Sequence, residues 1–101
     1  MTTHRILVTV EAAKIVAEPD TLVMTQLDEV HWTGTTPRRF SIVFDGAGPF
    51  GARQLGHDVA NAAQRPRAKG RFKYTIVSES DPAVQLDPVI IIDEPPSGPN
   101  P

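Results

Sequence analysis

Apolar and polar side chains alternate along most of this chain, with the two-residue period of half-buried β-strands. At the amino end Ile6, Val8 and Val10 alternate with Leu7, Thr9 and Glu11. Lys14 to Ala17 either extends that strand or forms a short one of its own, before a break at Glu18-Pro19-Asp20. Leu22 and Met24 open another strand, Gln26 to Glu29 reads as a turn, and Val30 and Trp32 share one face of the next. Two segments are cleaner. Between Arg38 and Asp45, Phe40, Ile42 and Phe44 point one way, and Arg39, Ser41, Val43 and Asp45 the other. Between Arg71 and Val77, Phe72, Tyr74 and Ile76 are expected inward and Arg71, Lys73 and Thr75 outward. Pro88 to Ile92 is apolar on both faces, the pattern of a central strand or of one whose outer face meets a partner.

The period changes between Gly46 and Gly70. Ala52, Leu55, Val59 and Ala62 recur at spacings of three and four, which predicts one short helix near residues 51–64, ended by Pro66. Many short strands, turn signals and a single helix predict a mainly β fold, a Greek-key β-sandwich of about seven strands. At 101 residues the chain is one domain, with residues 1–93 in the sandwich and 94–101 as a proline-rich tail expected to be disordered. That tail reads as a linker or as a peptide ligand.

Composition narrows the function classes. No run approaches the roughly 20 apolar residues of a membrane helix. The start, Met1 to Arg5, leads into a strand pattern and not into the apolar stretch of a signal peptide. Cysteine is absent, which fits the cytoplasm, the expected location. The formal net charge of -2 neither demands nor excludes an anionic partner.

Two segments together resemble the cupredoxins, the plastocyanin and azurin type of β-sandwich. The first is Val30-His31-Trp32 followed, eight residues after the tryptophan, by Phe40-Ser41-Ile42-Val43-Phe44-Asp45. The second is Gly70-Arg71-Phe72-Lys73-Tyr74-Thr75-Ile76, a glycine and two alternating aromatics ahead of the place where the family has its cysteine. The resemblance implies a cupredoxin-like scaffold over roughly residues 6 to 92. It also marks four former copper-ligand positions: Phe40 and Glu79 for the histidines, Ile76 for the cysteine and Val84 for the weak methionine. Blue copper needs two histidines and a thiolate with a weak axial thioether, and none of the four positions supplies one. Phe40, Ile76 and Val84 are expected to converge and close the cavity as extra core. The ending from Leu86 to Asp93 is also similar to small uncharacterised bacterial proteins of this type. No metal and no cofactor are expected.

Other motifs have plainer readings. Gly46-Ala47-Gly48-Pro49-Phe50-Gly51 matches G-x-G-x-x-G, but Pro49 removes a backbone N–H that a pyrophosphate would need, and the twentieth residue after Gly51 is Arg71, not an acid. It reads as a glycine-rich bend. His4, His31 and His57 lie far apart without metal-ligand spacing, and His31 is expected to face solvent. His57 beside Asp58 is a conceivable proton-transfer pair only if the fold brings them to a pocket with Glu79. Ser78 and Ser80 flank Glu79 in an expected hairpin loop, where serine serves the turn. No nucleophile or acid–base pair emerges, and no enzyme activity is expected.

Charge is the one feature above background. Arg65, Arg67, Lys69, Arg71 and Lys73 recur at every second residue, whereas the part from Glu79 onward has five acidic residues and no basic one. If the strand reaches back to Arg67, four of these cations line one face or edge. They then either draw an anionic partner or keep a solvated strand from aggregating. Phe72 and Tyr74 are expected inward and so unavailable to stack on bases. The leading expectation is a copper-free module for protein–protein interaction or assembly, by a protein partner or by self-association. Its contact surfaces are the strand Val89 to Ile92, through edge pairing, and the loops around Arg65 to Lys69. The alternative is anion or nucleic-acid binding through Arg65 to Lys73.

Overall fold

The computed structural model describes residues 2–94; of the expected tail, residues 95–101 lie outside them. Strands β1 (Thr3–Val10) and β2 (Ile15–Glu18) form an antiparallel hairpin. The turn between them closes through Glu11 N–H donating to Lys14 O at 2.8 Å. Strand β4 (Glu29–Gly34) runs parallel to β1, completing a three-stranded sheet in the order β2-β1-β4. The larger sheet contains β3 (Thr21–Thr25), β5 (Phe40–Phe44), β6 (Gln54–Leu55), β7 (Gly70–Ser78), β8 (Gln85–Leu86) and β9 (Val89–Asp93). Its order is β3-β9-β7-β5-β6, and β8 pairs with β7 beside β9. Asp87-Pro88 separates β8 from β9, because proline has no N–H for the ladder. The chain changes sheet between β2 and β3, again between β3 and β4, and again between β4 and β5.

The inward faces carry the alternating residues that the sequence marks. Ile6, Val8 and Val10 of β1, Val30 and Trp32 of β4, and Phe40, Ile42 and Phe44 of β5 are all buried. Between the sheets Trp32 meets Tyr74 edge-on at 5.7 Å and Phe50 at 5.9 Å, and the indole N–H donates to the Tyr74 hydroxyl at 3.2 Å. That bond satisfies both polar atoms of an otherwise apolar core. Phe50 reaches it from the glycine-rich bend. Gly48 has φ +69°, and a Cβ there would stand 2.7 Å from the Phe44 ring. The run is therefore a tight turn over Phe44, followed by strand β6 and not by a helix.

Helix α1 (His57–Ala60) lies within the expected window but is a single turn. Its buried residue is Ala60, while Val59 is half exposed and Ala52 and Ala62 are exposed. Leu55 is buried because it pairs with Ile42 across the β5–β6 ladder, not because it lines a helix face. Strand β9 is interior, with β3 on one side and β7 on the other. Both of its edges are taken, which closes it to edge pairing.

At one end Asp28 ties three segments together. Its carboxylate accepts from the His4 ring at 3.0 Å, from Thr25 N–H at 3.1 Å and from Thr2 N–H at 3.2 Å. These donors, the His4 bond foremost, hold its carboxyl down to about 2 from 3.8. The unfolded chain therefore binds this proton at a higher pH than the folded one. The stability that Asp28 contributes is complete above about pH 4 and is lost as pH falls toward 2. Asp28→Ala is expected to lower the denaturant midpoint at neutral pH and to leave it nearly unchanged at pH 2, as urea titrations at the two pH values would read.

Candidate functional site

The four positions marked by the cupredoxin resemblance lie at one end of the sandwich, where β5 begins and β7 ends. Phe40 stands opposite Ser78 in the β5–β7 register, and Ile76 stands opposite Ile42. Phe40 and Ile76 are both 0% exposed. Ser78 N–H donates to Val84 O at 3.1 Å, and the half-buried Val84 side chain packs against the core. Phe40 and Ile76 therefore lie in the core, with Val84 partly buried against it. Glu79 is the exception: it is exposed and turned outward. Ser78 departs from the expected loop as well, since it is the last residue of β7 and only 2% exposed, with its hydroxyl 3.2 Å from that of Ser80.

Arg39 organises the surface of this end. Its Nε donates to Glu79 Oε1 at 3.3 Å and its terminal nitrogen to Asp58 Oδ2 at 3.4 Å, while its carbonyl accepts from Glu79 N–H at 3.1 Å. The two carboxylates, Asp58 first, raise the guanidinium above its ordinary value. Beside it the His57 ring meets Phe40 edge-on at 4.9 Å, and its Nδ1 accepts from Phe40 N–H at 3.2 Å. An imidazole nitrogen that accepts from a backbone N–H carries no proton of its own. A shallow cavity of about 440 Å³ opens here, lined by Pro37, Arg38, Arg39, Glu79 and Ser80. His57 and Asp58 do not line it. The three residues considered for acid–base chemistry are thus close together but otherwise engaged, one on a backbone amide and two on Arg39.

The basic stretch is not one row. Strand β7 begins at Gly70, so Arg65, Arg67 and Lys69 belong to the preceding loop, and only Arg71 and Lys73 stand on the strand's outer face. All five are exposed. Arg67 N–H donates to Pro49 O at 2.6 Å, and its guanidinium lies over Gly51. Lys69 forms an ion pair with Glu94, which gives that first tail residue a place against the sandwich. Lys73 borders a second cavity of about 250 Å³ with Asp45, Tyr74, Thr75 and Asp87, where the Thr75 hydroxyl donates to Asp87 Oδ1 at 2.8 Å. On the smaller sheet, His31 lies on the face opposite the buried Val30 and Trp32, partly exposed, with its Nδ1 3.1 Å from the Thr33 hydroxyl.

Comparison with solved structures assigns the architecture. A pseudoazurin from Sinorhizobium matches with a TM-score of 0.64 at 18% identity, over 94% of this chain and 76% of that one. A reduced amicyanin variant matches with a TM-score of 0.54 at 17% identity, over 87% of this chain and 81% of that one. The reduced Cu(I) form of another amicyanin variant matches with a TM-score of 0.52 at 18% identity and the same coverages of 87% and 81%. The fold is cupredoxin-like. No protein-family model matches the chain, and no curated protein matches it.

A cupredoxin-like fold implies copper, and the residues at the ligand positions do not fit it. The side chains of Phe40, Ile76 and Val84 contain no nitrogen, oxygen or sulfur, and the Glu79 carboxylate is turned outward onto Arg39. Among the described residues no group of three or more histidine, aspartate or glutamate side chains is placed to hold a metal ion. The sequence pattern does not single out Arg39. An exposed arginine just ahead of a strand is ordinary, and its partners lie 19 and 40 residues away.

Proposed function

We propose that this chain is a non-catalytic, copper-free cupredoxin-like module of the cytoplasm that mediates protein–protein interaction or assembly. The observation that carries this reading is the complete burial of Phe40 and Ile76, two positions that would serve a metal in the parent scaffold and serve packing here. The polar groups around them support it, because His57, Asp58 and Glu79 are engaged in structural bonds. What the surface offers is contact area: Val23, Leu27 and Val59 are 55%, 57% and 51% exposed. Light scattering coupled to size-exclusion over a range of concentrations, together with affinity capture and crosslinking, tests the reading. Concentration-dependent assembly or a defined, saturable partner is expected. A strict monomer that captures nothing overturns it.

Exposure of all five cations from Arg65 to Lys73 favours a second reading, binding of an anion or a nucleic acid. Replacing Arg67, Lys69 and Arg71 together by glutamine is then expected to abolish binding of a single-stranded oligonucleotide and flatten its salt dependence. Binding that survives the triple replacement, or that salt does not weaken, excludes this reading.

A further inference from the structure

An open strand edge is a template for another strand, and β3 supplies one. It is an end strand of the larger sheet, paired with β9 on one side only. Val89 N–H donates to Asp20 O at 3.0 Å and Gln26 N–H to Asp93 O at 3.1 Å. Even-numbered residues of this segment therefore turn their backbone groups toward β9, and odd-numbered ones turn theirs away. At Thr25 the following turn uses both groups: its N–H donates to Asp28 Oδ2 and its carbonyl accepts from Asp28 N–H, each at 3.1 Å. Thr21 and Val23 are left with two N–H and two C=O groups directed outward, and among the described residues none of the four finds a partner. Two other edges are handled differently, while β2, also an end strand paired on one side only, is four residues long and ends in the charged Glu18. Gln64 covers that of β4 through a pair of bonds with Val30, at 2.9 and 2.7 Å, and β6 is only two residues long.

Sequence at this edge is that of a docking strand. Thr21-Leu22-Val23-Met24-Thr25 contains no charge and no proline, the devices that usually keep edges apart. Its outward side chains are all β-branched, and Val23 is 55% exposed. The geometry points to a second copy of this chain as the occupant, joined β3 to β3 in antiparallel fashion about a two-fold axis through Leu22. This rests on the interaction reading above and names its partner. In that register Thr21 of each copy faces Val23 of the other, and each pair exchanges two hydrogen bonds. All four open groups are then satisfied. A register with Val23 facing Val23 uses only one pair, because the groups of Thr25 are already taken. Self-pairing brings no like charges opposite one another, since Asp20 falls beside Met24 of the second copy, and a net charge of -2 repels the copies little. The contact is short, below the roughly 1,200 Å² of a stable interface, so the dimer is weak and concentration-dependent.

Sedimentation equilibrium of the full chain tests this. A reversible dimer with a dissociation constant between about 10 μM and 1 mM is expected. Val23→Lys and Thr21→Glu, both at exposed positions, are each expected to weaken it at least about tenfold with melting curves little changed. Mixing the two variants places the new ammonium opposite the new carboxylate and is expected to restore association as a heterodimer. A chain that stays monomeric to about 1 mM, a dimer that Val23→Lys leaves intact, or a mixture that does not recover overturns the proposal. A monomer that still captures a different protein also overturns it, yet leaves the interaction module standing; a monomer that captures nothing removes both.

Discussion

Truncating Phe40 to alanine is expected to cost about 3–5 kcal/mol, the range for removing a buried phenylalanine. Phe40 is 0% exposed and opens β5, with Ser78 opposite, the His57 ring at 4.9 Å and the Gly34 backbone close to its ring. None of these can collapse into the space easily, because Ser78 and His57 are held by bonds of their own to neighbouring backbone and side chains. A domain of this size has about 5–15 kcal/mol of net stability, so one substitution removes a large part of it. Thermal melting should fall by roughly 15 °C or more. A loss under about 1 kcal/mol would show that the position tolerates a void, and the account of a vacated ligand site refilled as core would fail.

Comparable damage is expected at the centre of the sandwich. Trp32→Ala removes a fully buried indole in edge-on contact with Tyr74 and Phe50 and takes away the only donor to the Tyr74 hydroxyl among the described residues. A cost of about 3–5 kcal/mol follows from the lost volume, before the unsatisfied hydroxyl is counted. The same buried hydroxyl sets an upper pH limit. Burial pushes the Tyr74 phenol up to about 12 from 10.0. In the folded protein it keeps its proton where the unfolded chain has released it. Stability is therefore complete below pH 10 and falls as pH rises toward 12, by about 3 kcal/mol at 1.36 kcal/mol per unit. Tyr74 is the only tyrosine, so phenolate absorbance reports on it alone, and unfolding curves at pH 9 and 11 measure the slope. Tyr74→Phe is expected to remove that slope. An unchanged slope in this variant would assign the alkaline limit elsewhere.

Parts of this architecture are legible without coordinates, for a local reason. A strand with one face in a core writes its burial into alternate residues, so Phe40-Ile42-Phe44 and Tyr74-Ile76 announce their orientation within a few positions. The helical window is less informative, because two of its four apolar positions are alanines, which bury little area and signal weakly. Leu55 belongs to a two-residue strand whose partner, Ile42, lies well upstream. Ser78 misleads for a related reason: like Ser80 it looks like a turn residue, but the ladder with β5 carries β7 through Ser78 and buries it, while Ser80 does lie in the exposed bend beyond.

What the chain alone decides is its class and the absence of a copper thiolate. Period-two patterning selects a sandwich, and a thiolate cannot be supplied by a sequence without cysteine. What the tertiary structure decides is which groups are occupied and which are open. Arg39 finds Asp58 and Glu79, Lys69 finds Glu94, and His57 finds the amide of Phe40, all across the fold. Strand β9 is sealed between two neighbours, and among the described residues open backbone groups fall on Thr21 and Val23 instead. The reason is physical: side-chain burial is encoded residue by residue, but hydrogen-bond pairing depends on which distant strand arrives alongside, and strand order is a property of the closed sandwich.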